Sequence, residues 1–169
     1  YVKERESQYK GAANFYSGYI NFRNKKYPAA LSDLQIAEKD SSYYKHVPLL
    51  KAKVYYNLGD YEKMELECRK ALTLTKKNKH DIYLLLGESF YKKEAYDSSV
   101  FYFAQADVAK PLKKDTRFRL GHSYYKQDKF TSAIYHFKMV EDTGATLQLT
   151  HYYLGLSYLK EGQTQNALS

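Results

Sequence analysis

The stretch HDIYLLLGESFYKKEAYDSSVFYFAQADVAKP, residues 80–111, holds two helical patterns and the break between them. Ile82, Leu85, Leu86 and Phe90 recur at the spacing of one helix face, and Val100, Phe103, Ala104 and Val108 resume it after Glu94-Ala95. The expected local structure is a helix, a short polar turn and a second helix. Pro111 follows the second pattern, where a residue without an N–H cannot continue the helix. Downstream, Phe118, Leu120 and Tyr124, then Ala133, Ile134 and Phe137, repeat the arrangement.

Working outward, the pattern has a period. Gly18, Gly87, Gly121 and Gly155 stand 69, 34 and 34 residues apart, and Ala52 fills the vacant position between the first two. Periods of about 34 residues mark helical arrays whose units bury their apolar faces only by stacking on neighbours. In this register 11–44, 45–78, 80–113, 114–147 and a truncated 148–169 each read as helix, turn, helix, with Lys79 inserted. Residues 1–10 either end an upstream helix or extend the first unit. Polar breaks such as Asn24-Lys25-Lys26, Lys93-Glu94 and Gln127-Asp128-Lys129 supply the inter-helix turns. Gly59 and Gly162 suit left-handed helix caps, and Pro28 suits the first turn of a second helix. Glu141-Asp142 reads as a turn.

These residues resemble the tetratricopeptide repeat. The small residue early in the first helix is Gly18, Ala52, Gly87, Gly121 and Gly155; the aromatic before the second helix is Tyr27, Tyr61, Tyr96 and Phe130. Small second-helix residues are Ala30, Ser99, Ala133 and Ala167, then Ala37, Ala71 and Ala106. The resemblance spans 11–169 and is weakest at the start, where Asn14, Ser17, Pro48 and Lys51 hold positions that are usually large and apolar. It implies an all-α, right-handed α-solenoid of about five units, the last truncated, whose first helices line a concave surface. It places Phe15, Phe118 and Tyr152, then Tyr19, Lys53 and His122, then Phe22, Tyr56, Tyr91 and Tyr125, then Arg23, Lys92 and Lys126 on that surface. An aromatic floor edged by cations suits an extended peptide. The function implied is a non-catalytic scaffold binding a protein or peptide segment, with single-stranded nucleic acid or a purely structural spacer as alternatives. The clamp that some family members use on chaperone tails is not reproduced, since its positions hold Leu49, Lys53, Leu85, Asp115 and Arg119.

Charge and chemistry bound the rest. The net charge of +8 favours acidic partners, although lysine-rich solvated helix faces reach the same total. No apolar run approaches the ~18 residues of a membrane span, so no insertion is expected. The single Cys68 excludes an internal disulfide and is expected as a buried, inert thiol. His46, His80, His122, His136 and His151 form neither HExxH nor a pair on one helix face, so no metal or cofactor is expected. His151 is expected in the core and His122 on the concave surface. No nucleophile, base and oxyanion donors assemble into an active site. The chain opens on Tyr1 and stops at Ser169 within a repeat, which reads as a segment of a longer protein whose cut end could dimerise. Twenty tyrosines without tryptophan resemble repeat proteins of the bacterial cell envelope, with the cytoplasm as the alternative compartment.

Overall fold

The computed structural model describes residues 2–74, 79–140 and 145–167; Glu141-Asp142 and Ser169 lie outside the described residues. Ten helices and no strand occur among the described residues. They are α1 (Val2–Arg23), α2 (Tyr27–Ala37), α3 (Val47–Leu58), α4 (Tyr61–Leu74), α5 (Lys79–Lys92), α6 (Tyr96–Ala109), α7 (Lys114–Tyr125), α8 (Phe130–Lys138), α9 (Ala145–Lys160) and α10 (Thr164–Ala167). The chain forms two compact units, Tyr1–Leu85 and Leu86–Ser169, with the boundary inside α5.

In the first unit α1 packs on α2, α2 on α3 and α3 on α4. Ala30, Leu34, Ala37, Val47, Leu50 and Val54 form its core, with Phe15, Phe22, Tyr27, Leu31 and Tyr43 against them. The polar residues that depart from the repeat pattern have specific partners. Ser17 Oγ and Asn21 Nδ2 donate to Asp33 Oδ2 at 2.7 and 2.8 Å. One repeat on, Lys51 Nζ reaches Glu67 Oε1 at 2.5 Å and Glu38 Oε2 at 3.1 Å. The register-matched positions of the second unit hold Leu86 and Tyr102, then Leu120 and His136, and there Tyr102 stacks on Phe90 and His136 on Tyr124.

In the second unit α6 packs on α7, α7 on α8, and α8 and α10 on α9. A Cβ on Gly87 would overlap the Phe103 ring, and one on Gly121 would stand 2.9 Å from Phe137 Cδ1. The small residue of the first helix is therefore a socket for the second helix's ring. In the first unit the equivalent pair is Ala52 and Cys68, both fully buried: one side chain gains a methyl where its counterpart shrinks from a ring to a thiol.

All five turns place one residue in the left-handed region. Gly59 and Gly162 do so at φ 74°, as their sequence suggested, and Lys25, Glu94 and Asp128 do so at φ 59°, 58° and 57°. Pro28 and Pro48 both sit in first turns, where their missing N–H has no helical partner to lose. Two expectations are corrected. Val108, read as apolar face, is 87% exposed because α6 buries the stripe Ser99, Phe103 and Ala106 instead. His151 is exposed, since α9 turns Thr150 and Ser157 inward beside it.

Candidate binding faces on the first helices

Aromatic pairing organises both faces. In each complete repeat the ring near the end of the first helix meets the ring that opens the second: Phe22–Tyr27 at 6.4 Å, Tyr56–Tyr61 at 6.4 Å, Tyr91–Tyr96 at 6.2 Å and Tyr125–Phe130 at 5.6 Å. Three of these four pairs are edge-on, the geometry that sets a ring's positive rim against the negative face of its partner. Phe22, Tyr56, Tyr91 and Tyr125 are thus half-buried rings held by their own repeat.

In the first unit Phe15 stacks on Tyr43 with centroids 4.9 Å apart, while Tyr19 is 44% exposed and Arg23 is exposed. Lys53 is tied to Asp81 at 2.7 Å, which takes up part of the charge that the sequence assigned to ligand binding.

The second unit carries the denser cluster. His122 is only 8% exposed, with Tyr91 at 5.6 Å, Tyr96 at 6.0 Å, Phe118 at 6.1 Å and Tyr153 at 4.7 Å between ring centroids. Its Nδ1 is hydrogen-bonded to the Tyr91 hydroxyl at 3.1 Å. Burial lowers the His122 pKa, aided by the nearby Lys126 charge, and burial pushes the Tyr91 hydroxyl up to about 12. His122 therefore braces the aromatic floor as a neutral ring. Tyr125 joins the cluster through Tyr153 at 5.2 Å.

Charge surrounds this floor unevenly. Glu88 is 6% exposed; Arg119 Nη1 donates to its Oε1 at 2.6 Å, and Oε2 has no hydrogen-bond partner. Burial raises the Glu88 pKa although Arg119 acts against it. Lys92, Lys126 and Lys160 are exposed at one repeat position, in or just past the last turns of α5, α7 and α9. Tyr152, in register with Phe118, is 60% exposed, while its neighbour Tyr153 occupies the cluster. Among the described residues no group of three His, Cys, Asp or Glu is placed to hold a metal ion. No helix of the described residues is long and apolar enough to cross a membrane.

Tyr153 and Tyr96 are the cluster residues that sequence register missed. Contacts between successive first helices fall at offsets beside the period, such as 31 residues in Tyr91–His122 and Glu88–Arg119 and 28 in Lys53–Asp81. Adding the offset of 31 to His122 gives Tyr153, so the signal was available in the spacing.

Comparison with known proteins agrees with this architecture. Residues 49–78 match the family model of the tetratricopeptide repeat. No curated protein sequence matches the chain. Among solved structures, YrrB, described as a tetratricopeptide-repeat protein with an unusual peptide-binding site, is similar over 99% of this chain and 86% of its own, at 18% identity and a TM-score of 0.82. MamA from AMB-1 is similar over 95% of this chain and 87% of its own, at 21% identity and a TM-score of 0.78. At these identities the likeness concerns the fold. One helix pair, residues 49–78, thus matches the tetratricopeptide repeat as a family, and the likeness to solved structures extends that fold over the rest of the described chain.

Proposed function

We propose that this chain is a non-catalytic scaffold that takes an extended, acidic peptide segment on the first-helix face of its second unit. The observation that carries the reading is the braced ring cluster around His122 with Lys92, Lys126 and Lys160 exposed at its margin. Rings already fixed by their neighbours lose little freedom on binding, so their apolar area converts into affinity at low entropic cost. Exposed ammonium groups complement carboxylates and speed encounter more than they add affinity. The peptide-binding site of YrrB supports a peptide as the class of ligand on this fold.

The test is affinity capture from source-cell extract, with and without nuclease, by the native chain and by a Lys92→Glu/Lys126→Glu/Tyr152→Ala variant. All three residues are exposed, so the variant leaves the core intact. Substituting Tyr91 or Tyr125 would instead remove a ring that its own repeat packs against. A nuclease-resistant protein captured only by the native chain is the expected result. Capture that depends on nucleic acid, or that the variant leaves unchanged, would overturn the reading.

A further inference from the structure

The outward face of α6 presents two widely exposed apolar side chains on one stripe. Its inward stripe, Ser99, Phe103 and Ala106, is fully buried, and the opposite stripe presents Phe101 at 56% exposure, Gln105 and Val108 at 87%. Between Asp97 and Asp107 the helix carries no charge, and Asp107 is turned away into an ion pair with Arg117 at 2.7 Å. By contrast α4 shows solvent Glu62, Lys63, Arg69 and Lys70 around its one exposed apolar residue, Leu66. A charge-free stripe of this length on a chain with 27 basic and 19 acidic residues calls for a cover.

The ends of the stripe say what cover fits. Exposed Asp97 lies at its amino end, and exposed Lys110 and Lys113 follow its carboxyl end. Phe101 and Val108 are two helical turns apart, about 10 Å along the axis. When a second α6 is laid antiparallel on the first about a twofold axis, Phe101 of each copy stands over Val108 of the other. The same alignment brings Asp97 opposite the segment between Lys110 and Lys113. Gln105 then lies next to the axis, where its amide can meet the symmetry-related one. The face is self-complementary in the order of its apolar and charged residues, as a twofold interface requires. Apolar side chains occupy the centre and charges the rim, the usual anatomy of a protein interface.

We propose that the outward face of α6 is a homodimerisation surface, occupied by α6 of a second copy in antiparallel register. It is independent of the first-helix face proposed to bind peptide, and it differs from a dimer through the α9–α10 end.

The test is sedimentation velocity on the whole chain, native and substituted, with circular dichroism as the folding control. A concentration-dependent dimer is expected for the native chain. Val108→Asp, at a largely exposed position, should weaken it by about tenfold or more, as loss of a central contact does. Asp97→Lys alone and Lys110→Asp/Lys113→Asp alone should each dissociate, since like charges then face each other. Mixing those two variants should restore association, because each supplies the charge the other now needs. A native chain that stays monomeric at about 100 μM, a concentration that reveals even weak dimers, would overturn the proposal. So would a dimer that survives Val108→Asp, or charge variants that do not recover on mixing.

Discussion

Burial decides the chemistry of single residues here. Cys68 is fully buried, and burial, with the charges of Glu65 and Glu67 adding to it, pushes its thiol up to about 12. Native protein at pH 8 should therefore resist a disulfide reagent, with labelling as slow as local opening allows and fast only in denaturant; prompt stoichiometric labelling would contradict the packing. His136 is stacked on Tyr124 at 5.3 Å, and burial plus the adjacent Arg117 depress its pKa to about 4, partly opposed by Asp107. An unfolded His136 takes up its proton near 6.5, whereas the folded one waits until about pH 4. The unfolded state thus binds more protons across that window, and stability should fall as pH drops from 6.5 towards 4. His136→Phe keeps a ring against Tyr124 and should flatten that part of the curve in urea titrations at a series of pH values. Lys51 illustrates the opposite case, a charge retained inside by two acids. Lys51→Met strands Glu67, whose side chain is 8% exposed, and should cost about 3 kcal/mol, while Lys51→Met/Glu67→Met should recover most of it.

At the scale of elements, the turns carry the strongest constraint. Each helix pair is reversed by a turn with one left-handed residue, a conformation that costs a side-chain-bearing residue about 1–2 kcal/mol. Glu94→Gly and Asp128→Gly should raise the unfolding free energy measured in urea by up to about 1 kcal/mol, partly offset by the freedom glycine gains in the unfolded chain, and Gly59→Ala should lower it by a similar amount. A Glu94→Gly variant less stable than the native chain would show that the Glu94 side chain contributes more than its backbone strain removes. The turns also show what was legible. Gly59 and Gly162 announce their geometry, whereas Lys25, Glu94 and Asp128 are ordinary solvent residues forced into it by their place in the repeat. The repeat register likewise located the sockets at Gly87 and Gly121 and the aromatic that opens α2, α4, α6 and α8. It did not reveal which rings touch, because equivalent positions recur at the period while contacts between successive first helices fall at other offsets, such as 28 and 31 residues. For the same reason His122 read as a surface group and is a buried brace; Val108 read as core because the apolar spacing on α6 did not show that its buried stripe runs through Ser99, Phe103 and Ala106.

Across the whole molecule, stability in a stack of this kind is a sum of helix pairs and their neighbour contacts, so damage should stay near its origin. Gly121 and Gly18 allow that to be measured in one chain. A Cβ on Gly121 would stand 2.9 Å from Phe137 Cδ1 and 3.3 Å from His136 Cβ, and one on Gly18 would stand 2.8 Å from Leu34 Cγ. Overfilling a close contact costs about 1–3 kcal/mol, less where a flexible leucine can yield than where a ring packed among other rings must move. Phe137 is such a ring, packed against Phe118 at 5.7 Å and Tyr153 at 6.2 Å. Gly121→Ala should therefore be the more damaging of the two. In native-state hydrogen exchange it should deprotect amides of α7 and α8 while those of α1 and α2 keep their native rates, and Gly18→Ala should give the reverse pattern. A uniform rise along all helices in either variant would mean that the two compact units open as one cooperative body, which a stack held by neighbour contacts does not require.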